Sequence, residues 1–260
     1  MKKVGIIGLG MVGSAIQRGL SDVGNEVIGY DLKKPETSLK DLLVADAVFI
    51  CVPTPSLPDG RCDTSIVESV VLSLDNEKFA GLVVIKSTVE PGTTDRLAKQ
   101  FSSLRLAFCP EFLRERKAYE DFVKYNDVCI IGAYSAEDHE LIRAIHGSLP
   151  RDFALVTPLE AEFAKYFSNV FNALRIIFAN EFYDVCNAAG ADYMNVKDAI
   201  VKRDNITDAY LAASVTMRGY GGSCLPKDVK AFKEYAKRVL GERQPSLFDT
   251  IDEINKRYEQ

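Results

Sequence analysis

The sequence predicts an α/β protein in which a doubly wound parallel sheet is followed by an all-helical segment. Short runs rich in Val, Ile and Leu alternate with amphipathic runs through the first half of the chain. Strands that are apolar throughout are typical of a parallel sheet with helices on both faces. After Thr157 aromatic residues recur at helical spacing as far as about Ala189. We therefore predict two domains, residues 1–156 and 157–260.

The predicted strands and helices of the first half alternate regularly. Apolar runs predict strands at 4–9, 26–30, 47–52, 82–86, 104–108 and 127–131, and a short edge strand at 153–156. Amphipathic runs predict helices at 11–23, 64–74, 94–102 and 136–145. This alternation of strand and helix indicates a parallel sheet of the Rossmann type.

Capping residues mark the helices of the second half. The run 157–160, Thr-Pro-Leu-Glu, is a capping box with proline at the first helical position, which predicts the start of a long helix. Gly190 predicts its end, and Asp192 predicts the start of a second helix that runs to about residue 203. Further helices are predicted at 229–239 and, after Ser246, at 247–258.

Composition excludes several classes of protein. The net charge of -5 argues against a nucleic-acid partner, and no apolar run is long enough to span a membrane. The N-terminus carries no secretory signal, and six cysteines without a CxxC pair indicate free thiols in the cytoplasm. With two histidines in the chain no metal site is predicted, and acid–base chemistry falls to Lys, Asp or Glu.

The run Gly8–Gly13, Gly-Leu-Gly-Met-Val-Gly, indicates a dinucleotide site. It follows an apolar strand and precedes a helix, so the glycines permit a tight turn, close approach of a pyrophosphate and close helix–strand packing. Asp31 ends the next strand, where a carboxylate favours NAD over NADP, although Lys33 and Lys34 leave room for NADP. The alternative is a glycine-rich turn without a ligand.

A second glycine-rich run, residues 219–228, places a thiol beside a cation and a carboxylate. Cys224 is followed by Lys227 and Asp228, and a neighbouring ammonium lowers the pKa of a thiol. Most cysteines are inert core residues, but glycine, proline and charged neighbours do not fit a core position. A thiol combined with a hydride acceptor predicts oxidation of an alcohol through an aldehyde and a thioester to an acid.

Three further groups have ordinary structural explanations beside functional ones. Lys165 and Asn169 are one helical turn apart, and the lysine either extends to solvent or lies in a cleft. Glu111 and Glu115 follow a strand end, where ligands bind in α/β sheets, or they are simply solvated. The hydroxyls of the run 87–94 cap a helix or bind substrate.

Taken together, these motifs resemble the nucleotide-sugar dehydrogenases, most closely the UDP-glucose 6-dehydrogenase family. The resemblance implies a Rossmann domain and a helical dimerisation domain, and it indicates that the family's C-terminal UDP-binding domain is lacking. The matching segments occur in family order over nearly the whole chain: 8–13, 51–55, 86–89, 110–118, 162–169, 180–181 and 219–228.

The resemblance also implies roles for the residues that match. Cys224 forms a thiohemiacetal and then a thioester, while Lys165 and Asn169 stabilise the oxygen that develops negative charge. Asp228 holds the hydrolytic water with Thr88 nearby. The implied catalytic residues are Cys224, Lys165, Asn169, Asp228, Glu115 and Thr88.

Binding residues are implied on the same basis. Those for substrate are Glu111, Phe112, Leu113, Lys227 and Gly221. Those for NAD are Gly8, Gly10, Met11, Val12, Gly13, Asp31, Val52, Pro53, Thr54, Ser87, Thr88 and Glu115.

The sequence therefore predicts an NAD-dependent, four-electron oxidation of a nucleotide sugar to its uronic acid, of the UDP-glucose to UDP-glucuronate type. Polysaccharide biosynthesis in the cytoplasm and a homodimer are expected from the resemblance. One alternative is a two-electron oxidation like that of the β-hydroxyacid dehydrogenases, which uses Lys165 and Asn169. The other is a non-catalytic subunit that binds NAD.

Overall fold

The computed structural model describes residues 1–34, 36–241 and 246–258, and the chain divides into two compact units. Unit 1 comprises Met1–Pro55 and Asp63–Lys165, and unit 2 comprises Ser56–Cys62 and Tyr166–Gln260. The predicted domain limits at 156 and 157 stay a prediction, because units defined by contacts are not independently folding domains.

Unit 1 contains a seven-stranded sheet in the order β2-β1-β3-β4-β5-β6-β7. The strands are β1 Lys3–Ile7, β2 Glu26–Tyr30, β3 Ala47–Ile50, β4 Leu82–Ile85, β5 Arg105–Phe108, β6 Val128–Gly132 and β7 Asp152–Val156. The helices before β7 are α1 Met11–Asp22, α2 Ser65–Asn76, α3 Thr93–Gln100, α4 Ala118–Lys124 and α5 Ala136–His146. Short 3-10 turns occupy Leu39–Leu42 and Glu115–Lys117.

The sheet confirms the predicted α/β class and departs from it at one junction. Strands β1 to β5 run parallel, whereas β5 and β6 are antiparallel, with Phe108 opposite Gly132. Two antiparallel strands can be neighbours without a crossover connection that returns the chain to the edge where the first strand began. The carboxyl ends of β1 to β5 therefore share one edge of the sheet, and β6 begins at that edge.

Both faces of the sheet are buried, as the apolar strands predict. Ile6 and Phe49 belong to the core on one face, and Ile7 and Ile50 belong to the core on the other. Burial of such a side chain contributes about 1.5–3 kcal/mol to the stability of the fold. The buried strands therefore hold the polar residues at their ends in fixed positions.

The remaining helices are α6 Pro158–Ala188, α7 Tyr193–Ile200, α8 Leu225–Leu240 and α9 Leu247–Lys256. Their caps confirm the sequence prediction: Thr157 and Glu160 form the capping box of α6, Asp192 caps α7 and Ser246 caps α9. Helix α8 begins at Leu225, earlier than the predicted 229, because Pro226 stands in its first turn, where it is well tolerated.

The part of α6 in unit 2 exposes one apolar face. The exposed side chains of this face are Phe167, Phe171, Phe178, Phe182 and Val185, which recur at helical spacing.

No helix in the described ranges is long and apolar enough to cross a membrane.

Candidate active site

A tight turn follows β1 and leads into α1. Gly8 has φ +90°, and its N–H donates to the Tyr30 carbonyl oxygen at 2.9 Å. A Cβ atom on Gly8 would lie 2.7 Å from the Cys51 carbonyl oxygen, and one on Gly13 would lie 1.9 Å from the Gly8 carbonyl oxygen. A Cβ on Gly10 would meet nothing within 4 Å. The outer two glycines therefore close the turn, and Gly10 leaves space at a helix N-terminus, where a phosphate fits.

Asp31 follows β2, beside this turn. Its carboxylate accepts hydrogen bonds from the backbone N–H of Lys33 at 2.9 Å and of Leu9 at 2.8 Å, and these hold its pKa below the ordinary value. An ionised carboxylate here accepts hydrogen bonds from ribose hydroxyls and repels a 2′-phosphate. Met11 and Val12, also predicted to bind NAD, form the first turn of α1.

The residues after β3 and β4 lie at the carboxyl ends of parallel strands. The hydroxyl of Ser87 donates to the carbonyl oxygens of Val52 at 2.7 Å and Ile50 at 3.2 Å, which ties the two strand ends together. Thr54 is buried and Thr88 is half-buried. Ligands of α/β sheets bind at this edge, so the predicted NAD residues 52–54 and 87–88 are suitably placed.

A buried ion pair follows β5. Lys165 of α6 donates to the Glu111 carboxylate at 3.1 Å and to the Glu111 carbonyl oxygen at 2.6 Å. Only 5% of Lys165 is exposed, so it does not extend to solvent. Burial alone would raise the pKa of the Glu111 carboxyl, but Lys165 and the N–H of Leu113 outweigh burial and lower it. Lys165 is therefore a fixed cation at the strand-end edge of unit 1.

The two glutamates predicted after β5 differ in their surroundings. Glu111 is nearly buried, whereas Glu115 is exposed and begins a 3-10 turn. Phe112 lies 5.5 Å from the Lys165 ammonium, at cation–π distance. Of the predicted substrate residues, Phe112 and Leu113 thus accompany Glu111.

The thiol of Cys224 lies at the N-terminus of α8 in unit 2. Cys224 is the N-cap residue, it is exposed, and its carbonyl oxygen accepts the Asp228 N–H at 2.9 Å. The hydroxyl of Ser223 lies 3.5 Å from the sulfur. A Cβ on Gly221 would meet nothing within 4 Å, so the turn leaves room beside the thiol.

Asp228 connects the predicted polar residues of unit 2. Its buried carboxylate accepts hydrogen bonds from the Asn169 amide at 2.5 Å and from the Lys227 ammonium at 2.6 Å. Burial lowers the pKa of Lys227, but Asp228 outweighs that effect and raises it. Asn169 and Lys165 are one turn apart on α6, yet each has its own carboxylate partner.

Helix α9 holds the glycine-rich run in place. The side chain of Asn255 accepts the Tyr220 N–H at 2.7 Å and donates to the Tyr220 carbonyl oxygen at 3.0 Å. Asn180 accepts the N–H of Gly219, whose φ is +63°. Asn255 had no predicted role, because a lone asparagine on a charged terminal helix carries no sequence signal for this contact.

Glu162 is a second buried residue to which no role was assigned. Its carboxylate accepts hydrogen bonds from the backbone N–H of Gly92 at 2.5 Å and from the N–H and hydroxyl of Thr94, and so caps α3. Burial raises the pKa of Glu162 to about 7, against the effect of these hydrogen bonds.

Three residues that no sequence pattern groups together also meet in unit 1. The Cys109 and Cys129 sulfurs lie 3.6 Å apart, and the ligand atoms of these cysteines and His146 lie within 4.8 Å of one another. Lys86 donates to the Cys109 carbonyl oxygen at 3.0 Å and lies 3.3 Å from its sulfur. The Cys129 thiol, Lys86 and His146 hold the pKa of Cys109 well below its ordinary value, against the effect of burial.

Comparison with known proteins places both halves of the chain in one family. Residues 32–149 match the NAD binding domain of the UDP-glucose/GDP-mannose dehydrogenase family, and residues 159–257 match its central domain. NAD is therefore confirmed as the cofactor of this domain type. The turn Gly8–Gly13 and Asp31 lie outside the matched ranges, and their roles stay predictions.

Individual relatives agree with the family match. A UDP-glucose 6-dehydrogenase from Rickettsia bellii is 38% identical over 207 residues, which cover 76% of this chain and 46% of the relative. A GDP-mannose 6-dehydrogenase from Pseudomonas aeruginosa is 29% identical over 286 residues, covering 91% of this chain and 65% of the relative. The chain thus spans about half to two thirds of the length of these curated relatives.

A solved structure extends the agreement to the fold. The UDP-glucose dehydrogenase of the hyperthermophilic archaeon Pyrobaculum islandicum matches with a TM-score of 0.87 and 30% identity, covering 99% of this chain and 67% of that one. The Rossmann-type architecture and the oxidoreductase family are thereby confirmed. This protein belongs to the UDP-glucose/GDP-mannose dehydrogenase family.

Proposed function

We propose that this protein is a nucleotide-sugar 6-dehydrogenase that oxidises the C6 alcohol of a sugar such as that of UDP-glucose to the acid, with Cys224 as the covalent nucleophile. The observation that carries the proposal is the exposed thiol at the N-terminus of α8, with the Asp228 carboxylate in the first turn of the same helix. A two-electron oxidation of a hydroxyacid has no use for this thiol.

The residues around the turn after β1 support NAD as the electron acceptor. Gly10 leaves open space at the N-terminus of α1, and Asp31 presents an ionised carboxylate suited to ribose hydroxyls. NAD bound there would accept a hydride from the substrate carbon twice per turnover, which accounts for the four electrons between alcohol and acid.

The residues of unit 2 supply the covalent chemistry. The Cys224 thiolate adds to the C6 aldehyde carbon, so an S–C bond forms and the carbonyl oxygen becomes an alkoxide. Asn169 donates a hydrogen bond to that oxygen. After hydride loss leaves a thioester, Asp228 takes a proton from the attacking water, the C–S bond breaks and Cys224 leaves as thiolate.

Unit 1 contributes charge and position. Lys165 stabilises the developing oxyanion, because its ammonium is buried and already fixed by Glu111. Glu111, Phe112, Leu113 and Lys227 are proposed to bind the sugar on the basis of the resemblance. For Thr88 and Glu115, proposed to assist thioester hydrolysis, the support is their match to the family motifs.

The test is a single assay with a matched control. Wild-type chain with NAD and UDP-glucose should form NADH and acid, and Cys224→Ser should lose more than about a thousandfold in kcat. Cys186→Ser removes a buried cysteine of the same unit and should retain activity. Mass spectrometry of the wild type should find the sugar adduct on Cys224.

Two results would contradict this proposal. Unchanged activity of Cys224→Ser would remove the covalent role and favour a two-electron oxidation. Failure of every nucleotide sugar to yield NADH, while NAD still raises the melting temperature, would indicate a binding subunit without catalysis.

We also propose that two copies of the chain associate through α6. Its exposed apolar face includes Phe167 at 73% and Val185 at 65% exposure. Beside it in unit 2 is a cavity of about 570 Å³ that Phe178, Phe182 and Ile200 help to line. A second copy offers the same apolar face, and the resemblance implies dimerisation in this region.

Sedimentation velocity tests the association. The wild type should be dimeric at micromolar concentration, and Phe178→Glu should shift it to monomer because a charge would be buried without a partner. Val44→Glu, at an exposed apolar residue of unit 1, is the control. A monomeric wild type would contradict the proposal.

The six free cysteines support a reducing, cytoplasmic setting, which we propose as well.

A further inference from the structure

The cluster of Cys109, Cys129 and His146 in unit 1 is separate from the proposed chemistry. Cys109 follows β5, Cys129 lies in β6 and His146 is the last residue of α5. All three are buried, with exposures of 0%, 5% and 1%. Thiolate and imidazole are the ligands that soft, closed-shell metal ions prefer.

The orientation of His146 is that of a metal ligand. Its Nδ1 lies 2.8 Å from the Ile142 carbonyl oxygen, and because a carbonyl only accepts, Nδ1 carries the proton. In the neutral ring Nε2 then keeps its lone pair, and among the described residues this buried atom has no hydrogen-bond partner. Histidines that bind metals typically donate the other ring N–H to a carbonyl or carboxylate in this way.

The spacing of the sulfurs fits a shared metal ion. Two sulfurs 3.6 Å apart, each at the usual metal–sulfur distance of about 2.3 Å, subtend about 100° at the metal. Phe49 and Phe122 pack edge-on against the His146 ring at 5.8 and 6.0 Å, so the walls are apolar. In the described part of the chain the cluster offers three ligands, which suits a three-coordinate ion.

A buried lysine adjoins the cluster. Lys86 is 4% exposed, and in the described ranges it forms no salt bridge. Its ammonium donates to the Cys109 and Pro110 carbonyl oxygens and lies 3.3 Å from the Cys109 sulfur. Three N/S ligands favour Cu⁺, a soft ion that accepts low coordination numbers, over Zn²⁺, which takes four ligands in structural sites.

We propose that Cys109, Cys129 and His146 form a buried site for a soft monovalent cation, Cu⁺. Binding forms two Cu–S bonds and one Cu–N bond, and the ion displaces the protons of those thiols that are not already ionised. No electron is transferred. Because Cys109 directly precedes Pro110 and Glu111, the ion would also fix the start of the strand-end loop.

The site is tested by loading the whole chain. The protein is refolded without oxygen in the presence of Cu⁺ and ascorbate, and then exposed to the competing chelator bicinchoninate. The wild type should retain one Cu⁺ per chain. Cys129→Ser should weaken retention by more than about a hundredfold, since a direct ligand is lost. Cys186→Ser, which also leaves five cysteines and removes a buried one, should retain the ion.

X-ray absorption of the loaded wild type gives a second measurement that does not depend on any variant folding. Two sulfurs at about 2.3 Å and one nitrogen at about 2.0 Å are expected. Equal retention by wild type and Cys129→Ser would overturn the proposal. So would a copper spectrum without nitrogen, or retention of Zn²⁺ under conditions that strip Cu⁺.

Discussion

Each unit of this protein contains a lysine beside a cysteine, and the two pairs have opposite surroundings. Lys86 and Cys109 are buried at the end of strands in unit 1, where the lysine is held by carbonyl oxygens and sulfur. In unit 2 Cys224 is exposed, and Lys227 is held by the Asp228 carboxylate. The same residue types therefore suit different roles: access suits Cys224 to the proposed nucleophilic role, and enclosure makes Cys109 a candidate ligand.

Alkylation gives the largest difference between the two regions. Iodoacetamide should modify Cys224 at least about a thousandfold faster than Cys109 or Cys129, because a buried thiol reacts only after an opening that costs several kcal/mol. Cys51 should also react slowly, since burial raises its pKa to about 12. Peptide mass spectrometry over time measures each site. Equal rates for Cys224 and Cys109 would remove the basis of the comparison.

Substitution of Asp228 tests whether its carboxylate stabilises the region around α8. Asp228→Ala leaves the Lys227 ammonium and the Asn169 amide without their partner, and should lower the free energy of unfolding by about 3 kcal/mol. Asp59→Ala is the control, because its ion pair with Arg61 is about half exposed in the same unit and should contribute far less to stability. Similar losses in both variants would contradict the prediction.

Glu162 makes unit 1 sensitive to pH. Its pKa is about 7 in the folded chain and about 4.5 in an ordinary setting, so its contribution to stability is full below about pH 4.5 and is lost as the pH rises through 7. The free energy of unfolding of the wild type, relative to Glu162→Gln, should fall by about 3 kcal/mol between pH 5 and pH 8. Urea unfolding at both pH values measures it, and a constant difference would refute the raised pKa.

The smallest effect concerns Asp31, whose carboxylate accepts hydrogen bonds from two backbone N–H groups. Asp31→Ala should weaken NAD binding about tenfold, because the proposed hydrogen bonds to the ribose are lost. It should also reduce the preference for NAD over NADP, because the carboxylate no longer repels a 2′-phosphate. Calorimetric titration with each dinucleotide measures the change. Asp41→Ala, at another carboxylate that accepts a backbone N–H, should leave both affinities unchanged.

Local signals predicted much of this structure. The caps Thr157, Asp192 and Ser246 and the glycine turn after β1 lie where their residue types require. Each of these features depends on residues a few positions apart, and so it is visible in a single sequence. The exposure of Cys224 likewise follows from its glycine, proline and charged neighbours.

Features that depend on distant residues could not be predicted. The antiparallel step between β5 and β6 is one, because alternation of strand and helix does not encode strand direction. Glu162 caps a helix start 68 residues away, at Thr94. Cys109, Cys129 and His146 are brought together by the sheet, and their spacing in the chain matches no metal-binding pattern.

The three glycines after β1 differ in how they would tolerate change. Gly8 and Gly13 admit no side chain without collision, whereas Gly10 has φ −69° and open space around it. A larger residue at Gly10 would therefore leave the fold unstrained while filling the volume that a pyrophosphate needs. One substitution at Gly10 would thus separate the proposed cofactor binding from stability, because it would block the pyrophosphate and leave the rest of the turn unchanged.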